Sequence, residues 1–484
     1  MLMTSFLTML VFSTYKGYNY SNPMMGHSMM LNRLGMMMMT FMLMLFINSL
    51  NIMPLIPGMT LFNNNFNITS YNLPMMILML LLIMSLLMYN MSKQRYDMSS
   101  PYYIMMMLTN MMGLMLFPLV NNLMGLYILM ELQSYTLYLL TGLHNRSYNA
   151  SRASLLYFLM GGMASTMMLV SSYFIYNLTG STSFNDISLF YQYANNTPNF
   201  LGNMYFDMLL MALMFKMGLA PLHRWSMAVY NYAPTYITAY MSMVAKLSIM
   251  SFMFANLNLF DNYMFMMFFY LSLIMGSFKP LFQMNMKTML AYSGLLNFGY
   301  ILLSIMTFDL SMYIFLIQYT LTHMMMFLSM LAISQYMDKP MSNWSPMMYM
   351  HQLKMPNKGL MMCLMLSFFS LMGMPPLPGF YAKFYILISS ISYNYMLESL
   401  LLMTCSVMAT YYYANMMKML ASNYIGHKSM NMFKLEMNNN NKGYDNNNYM
   451  NSSLAYMMSM CTMMMMTLFL YLPNMLEGLY MMTM

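Results

Sequence analysis

Residues 205–223 read YFDMLLMALMFKMGLAPLH, an apolar run of bilayer-crossing length with Lys216 set inside it and Gly218 and Pro221 interrupting its far end. A bilayer core of ~30 Å takes ~20 apolar residues per crossing, and between Met208 and Phe215 no polar residue offers this helix a face to turn to water. The same grammar extends along the chain. Of its 484 residues, 60% are hydrophobic and 6% charged, whereas an ordinary soluble domain is about a quarter charged. Apolar segments fall at 2–14, 34–52, 72–92, 102–119, 123–143, 153–177, 205–222, 233–256, 263–279, 288–308, 311–335, 359–392, 398–420 and 453–476. At ~20 residues each, fourteen crossings use about 280 positions and leave roughly 200 for loops and ends. The expected fold class is all-α, a polytopic integral membrane protein with about fourteen transmembrane helices.

Charge placement supports that count. The odd-numbered loops carry Lys16 and Arg33; Lys93 and Arg95; Arg146 and Arg152; Arg224; Lys279 and Lys287; Lys339, Lys354 and Lys358; and Lys428, Lys434 and Lys442, with Lys418 near the same face. The even loops and both ends carry no Lys or Arg. One miscounted helix would scramble the two sets from that point onward, so the positive-inside rule predicts fourteen crossings with both termini on the non-basic side. The net charge of +8 builds no continuous basic face, which argues against nucleic acid as a partner. Cys363, Cys405 and Cys461 are odd in number, widely spaced and set in apolar runs, and read as small buried hydrophobes. No Arg-rich presequence precedes Leu2–Ser13, so the chain is expected to insert as it stands. The 89 methionines, with abundant Tyr and Asn, suggest by composition an AT-rich genome with altered Met coding, as in many mitochondria. Residues 421–452, with Asn438–Asn441 and Asn446–Asn448, read as a polar connector.

Once the loops are assigned, four charged residues remain deep within the crossings: Glu131, Lys216, Lys246 and Lys383. At ~1.5 Å rise per residue, the first three lie roughly 12–20 Å from their helix starts, near mid-depth. Each costs about 2.5–3.5 kcal/mol on insertion scales, roughly 10–14 kcal/mol for the set before pairing. An ion pair that only fixes helix packing accounts for Glu131 and one lysine and leaves two lysines unexplained. The chemistry suits protons: burial favours a neutral amine and a nearby carboxylate favours the charged one, so a movable carboxylate changes an amine's hold on its proton. His323, inside 311–335, offers a group that titrates near neutrality; the alternative is an imidazole hydrogen-bonded to a nearby Ser or Thr.

Two of the lysines flank helix interruptions. Lys216 precedes Gly218 and Pro221, and Lys383 follows Gly373, Pro375, Pro376, Pro378 and Gly379. Broken backbone at depth needs protein or water to satisfy it. The interrupted segments are the seventh and twelfth. An offset of five reverses direction through the membrane, which predicts an inverted repeat with broken helices 7 and 12. The expected organisation is residues 1–101 for helices one to three, 102–256 for a first unit (helices four to eight), 257–420 for a second (nine to thirteen), and 421–484 for the polar connector and last helix. Lys246 has no charged counterpart in helix thirteen.

These residues also carry a resemblance. Glu131-Leu132-Gln133-Ser134-Tyr135, the run Phe215-Lys216-x-Gly218-x-Ala220-Pro221-x-His223-x-Trp225, Val229-Tyr230 and Pro234-Thr235 resemble the subunit-2 family of the mitochondrial proton-pumping NADH:ubiquinone oxidoreductase, complex I. Lys287 with Leu290-Ala291-Tyr292-Ser293, and Gly373-x-Pro375-Pro376-x-x-Gly379-Phe380-x-x-Lys383, continue it across about helices five to twelve. The resemblance implies an antiporter-like membrane-arm subunit of the mitochondrial inner membrane, multi-pass, with its basic loops on the matrix side and its termini on the intermembrane-space side. It implies that Glu131 pairs with Lys216, that Lys246 is the central lysine and Lys383 the twelfth-helix lysine, and that His323 matches a relay position. Tyr292-Ser293-Gly294 departs from the family's usual serine pair, so no role passes to Ser293. The partners implied are other membrane-arm subunits and membrane lipids. No cofactor site is evident in the sequence, which has no G-x-G-x-x-G, no clustered cysteines and no haem-spaced His pair; NADH, FMN, iron–sulfur clusters and ubiquinone are expected in partner subunits. Two other readings stand beside this one: a subunit of a cation/proton antiporter, and a structural membrane-arm subunit without its own proton path.

Overall fold

The computed structural model describes residues 2–14, 23–50, 59–91, 103–143, 148–194, 202–335, 358–438 and 452–483. Lys16, Lys93, Arg95, Arg146, Lys339, Lys354, Lys442 and the Asn-rich runs beyond Asn438 lie outside the described residues. The chain opens with α1 (Leu2–Thr14) and α2 (Pro23–Leu50), then a hairpin of β1 (Met59–Leu61) on β2 (Phe66–Ile68). After it come α3 (Leu73–Met91), α4 (Tyr103–Leu116), α5 (Leu123–Gly142) and α6 (Tyr148–Thr179). The short α7 (Phe184–Ala194), α8 (Gly202–Met217) and α9 (Arg224–Tyr232) lead into α10 (Thr235–Ala255). The remainder is α11 (Asn262–Phe278), α12 (Met286–Met306), α13 (Ser311–Gln335), α14 (Lys358–Met372), α15 (Pro378–Ser392), α16 (Met396–Asn438) and α17 (Ser452–Thr483).

The fold is all-α and its helices are those of a multi-pass membrane protein. Within the described residues, each apolar segment of the sequence coincides with helix over most of its length. Among the described residues, eight helices are long and apolar enough to cross a bilayer, and four shorter apolar helices accompany them. The long segment 359–392 is two helices, α14 and α15, as its glycines and prolines require.

Four local features differ from the expectation. The β1–β2 hairpin pairs Leu61 with Phe66 and turns on left-handed backbone at Phe62, Asn63 and Asn64, a conformation that sequence signals only weakly when glycine is absent. The amphipathic α7 occupies a connection expected to be loop; Ser183 at its start donates to Asp186 in its first turn, which favours a helix N-terminus. Residues 224–232, assigned to a basic loop by Arg224, form α9. The helix entering the polar connector continues through Asn438 rather than stopping near residue 420.

The core is central. The apolar windows of α10, α12 and α13 are 94%, 94% and 89% buried, against 28% for α6 and 22% for α17, so three inner helices are sheathed by outer ones. The inner helices are rich in Ser and Thr, whose hydroxyls bond back to their own helix, as Ser304 does to Ile301 and Ser329 to Met326. That satisfies them in an apolar setting. Larger polar groups tie helices together. Asn110 on α4 donates to the Gln133 carbonyl (3.0 Å) and the Thr136 hydroxyl (2.6 Å), Gln133 donates to the Gly113 carbonyl (2.8 Å), and Ser248 on α10 donates to Gln133 Oε1 (3.3 Å). Gly113 permits this approach, because a Cβ there would stand 2.8 Å from Gln133 Cγ.

Candidate functional site

Both helix interruptions are built alike. At the end of α8 the Gly218 N–H bonds to the Phe215 carbonyl and the Leu219 N–H to the Met214 carbonyl. At the end of α14 the Gly373 N–H bonds to Ser370 and the Met374 N–H to Phe369. This is the same Schellman closure twice, with glycine at the left-handed position, φ +70° at Gly218 and +86° at Gly373. In each, a cis X–Pro bond follows, at Ala220–Pro221 and Pro375–Pro376.

Side chains reach back to carbonyls at each broken end. The Trp225 indole reaches back from α9 and donates to the Phe215 carbonyl at 3.1 Å. Its ring is stacked against Phe215 and Tyr157 at 6.0 and 5.2 Å between centroids. At the other break the half-buried Lys383 ammonium donates to the carbonyls of Leu371 (2.6 Å) and Met372 (3.2 Å). A cation at a helix C-terminus is favourably placed against the dipole. Its proton donors are thereby aimed at the broken end, and its Nζ stands 5.7 Å from the Tyr300 ring. The start of α15 is pressed onto α14 at Gly379, where a Cβ would lie 1.7 Å from the Ser370 carbonyl oxygen. Gly379→Ala is therefore expected to push the two half-helices apart, and overpacking against backbone costs about 1–3 kcal/mol or more. Lower thermal stability of the assembled complex, together with lower activity, checks this.

Lys216 and Glu131 meet. Their charged atoms are 3.5 Å apart, and their side chains are 7% and 14% exposed. Neither Lys216 Nζ nor Glu131 Oε1 has a hydrogen-bond partner of ordinary geometry, so attraction between the opposite charges, not a directed bond, holds the pair. Such a pair in a low-dielectric setting is strong yet geometrically loose, which permits its separation to change.

Lys246 lies deeper in the chain of sites. Its Nζ sits 4.5 Å from the Phe298 ring and 5.5 Å from the Tyr230 ring, a setting in which aromatic faces stand in for lost solvent. Two small cavities meet at it. One, of about 30 Å³, is lined by Lys216, Ser134, Gln133, Trp225, Tyr230 and Lys246 among others. The second, of about 20 Å³, is lined by Lys246, Tyr230, Ser242, Lys287, Tyr319 and His323 among others. A single water requires ~10–15 Å³ and two to four polar partners, so each cavity has the room and the groups for hydration. Lys216, Lys246 and His323 are thereby joined through two shared spaces. Lys383 lines neither.

His323 is 2% exposed and neither ring nitrogen has a hydrogen-bond partner among the described residues. The alternative of a histidine satisfied by a neighbouring hydroxyl is not what the fold contains. Its ring lies against Tyr319, 4.1 Å between centroids.

Two contributors, quoted among the sequence motifs, were given no role there. Lys287, counted there as a loop charge, is in the first turn of α12, donates to the Ala233 carbonyl at 2.8 Å and lines the cavity with Lys246 and His323. A signal for it existed, since a cation in the first turn of a helix opposes the dipole and calls for a reason. Trp225 carried no such signal, because its part depends on the chain folding back at Gly218. Lys287→Met is expected to lower coupled turnover less than changes at Lys246 do, since the cavity keeps its other polar groups; steady-state NADH oxidation in sealed vesicles reads this.

The three cysteines are free thiols. Among the described residues no group of three or more His, Cys, Asp or Glu is placed to hold a metal.

Comparison with known proteins bears on this geometry. The family described as NADH:quinone oxidoreductase/Mrp antiporter, transmembrane, matches residues 120–410, which contain all five groups. The NADH-ubiquinone oxidoreductase chain 2 of Debaryomyces hansenii is 55% identical over 483 residues, covering 100% of both chains. The protein of the same name from Candida albicans is 44% identical and covers 98% of this chain and 94% of its own. Among solved structures, a chain of respiratory complex I from Thermus thermophilus has the same fold, with TM-score 0.74 over 98% of this chain and 99% of that one at 18% identity.

Proposed function

The chain belongs to the NADH:quinone oxidoreductase/Mrp antiporter transmembrane family, and on that premise we propose that Glu131, Lys216, Lys246, His323 and Lys383 carry protons across the membrane arm of an NADH:ubiquinone oxidoreductase. The protein is a component of respiratory complex I, a multi-pass protein of the mitochondrial inner membrane that sits among other membrane-arm subunits. NADH oxidation and ubiquinone reduction take place elsewhere in the assembly. The redox groups, NADH, FMN, iron–sulfur clusters and ubiquinone, are held by partner subunits in this reading. This chain contributes a route for protons, not an electron-transfer step.

The observation that carries the reading is the junction of the two cavities at Lys246, which puts an amine between the Glu131–Lys216 pair and His323. Redox energy released in neighbouring subunits changes the separation of Glu131 and Lys216. When the carboxylate withdraws, the Lys216 ammonium loses the charge that favoured its protonated form and gives up an N–H proton. A proton then passes by way of Lys246 and His323 towards Lys383. We place the basic loops on the matrix side and both termini on the intermembrane-space side, following the positive-inside rule. The two like-built breaks, at Gly218 and Gly373, support reading helices four to eight and nine to thirteen as an inverted repeat.

A free-standing cation/proton antiporter is disfavoured by the full-length correspondence to oxidoreductase chains. Purification from native membranes separates the two. Co-migration with flavin and iron–sulfur subunits, with NADH-driven acidification that needs no sodium, is expected; an isolated chain exchanging sodium for protons contradicts the proposal.

A further inference from the structure

The two cavities end at His323, and Lys383 lies beyond them. Between these points α12 presents Ser293, Asn297 and Tyr300 at intervals of four and three, one face of a helix. Facing that stripe are Tyr319 on α13 and the pair Tyr412 and Tyr413 on α16, and all six side chains are almost fully buried. The Tyr319 hydroxyl lies over Gly294, 3.6 Å from where a Cβ would stand, and its ring is the one packed on His323. The Tyr413 side chain faces Ser293, Asn297 and Tyr412. Tyr412 and Tyr413 rings are 4.5 Å apart, and Tyr412 in turn neighbours Tyr300. Tyr300 is the ring beside Lys383 Nζ.

Phenylalanine and leucine would fill the same volume without polar atoms. Instead Asn297 Nδ2 and the Tyr412 hydroxyl are buried with no hydrogen-bond partner among the described residues, and each such group costs about 1–3 kcal/mol. Unpartnered buried donors with hydroxyls close by are what water molecules bind to.

We propose that Ser293, Asn297, Tyr300, Tyr319, Tyr412 and Tyr413 form a hydrated bridge that carries protons between His323 and Lys383. This rests on the proton-carrying reading above and supplies its missing link. In each step a hydroxyl or water oxygen accepts a proton, forming one O–H bond, as its own O–H bond breaks towards the next oxygen, so no net charge stays behind. The first bond to break is an imidazolium N–H at His323; the last to form is an N–H on Lys383, whose ammonium has first broken one N–H bond, passed that proton onward and become an amine. Asn297 transfers no proton itself; its amide holds the waters in line and is a positioning residue.

The test uses the assembled complex in sealed vesicles. Tyr413→Phe and Asn297→Leu are expected to lower NADH-driven proton transfer about ten-fold, less than the 10²–10⁴ that a sole transfer group supplies because Tyr412 remains in parallel. The rate should also become more sensitive to deuterated water, which loss of packing alone would not cause, and Asn297→Ser should restore much of it. Should Asn297→Leu fail to assemble, Tyr413→Phe, which keeps the ring on Tyr412, decides alone. Wild-type rates in these variants while Lys246→Ala is impaired would overturn the bridge and leave the wider path standing. Wild-type rates in Lys246→Ala as well would overturn the functional reading itself.

Discussion

Replacing Lys246 by Ala should leave an assembled complex whose coupled NADH oxidation is depressed by about 10²–10⁴-fold, the contribution of a positioned proton-transfer group. The side chain is 8% exposed and forms part of the wall of both cavities. Its loss removes the amine that joins them, and the space it leaves is bounded by the rings of Phe298 and Tyr230. Lys246→Arg is the sharper variant. A guanidinium keeps the positive charge and the aromatic contacts but does not release its proton in a protein. A residue that only transmits strain or holds charge tolerates that exchange. Here Lys246→Arg is expected to be impaired nearly as much as Lys246→Ala, with steady-state oxidation rates in coupled vesicles as the readout.

Glu131→Gln has the largest expected effect on stability. It strands the Lys216 charge, 7% exposed, without the carboxylate 3.5 Å away, and breaking a buried pair from one side costs about 3–5 kcal/mol. Removing both charges, as Glu131→Gln with Lys216→Met, leaves nothing unpaired, so most of that loss should return. Proton pumping should not return with it. The double variant is thus predicted to be nearly as heat-stable as the parent and as inactive as either single variant. A pair that merely fixes helix packing predicts the opposite, recovery of both together. Thermal denaturation of the assembled complex and acidification by sealed vesicles separate the outcomes.

The parts of the fold that were legible in sequence are those where residue type alone dictates geometry. Gly218 and Gly373 sit where left-handed backbone closes a helix, and prolines follow each, so both breaks were readable. Buried charges were readable because their insertion cost demands a reason. The hairpin at Met59–Ile68 was not, since its turn uses Phe62, Asn63 and Asn64 in a backbone state set by tertiary contact. Nor was α9, whose Arg224 looked like a loop charge until its neighbour Trp225 was seen capping the Phe215 carbonyl. Lys287 was misplaced for the same reason. A charge at the end of an apolar run belongs to water by default, and the Ala233 carbonyl, in the link between α9 and α10, draws it inward. Periodicity reports which residues share a helix face. It does not report what the face meets, and the Ser293, Asn297, Tyr300 stripe gains its meaning from α13 and α16 packed against it.

The most direct measurement is the number of protons translocated per NADH by sealed vesicles bearing the assembled complex, with Lys216, Lys246 and Lys383 each replaced by Met. A fall in that number in all three variants, at normal assembly, is the predicted result. Three variants that assemble and pump with the parent's stoichiometry would show that these amines do not carry protons.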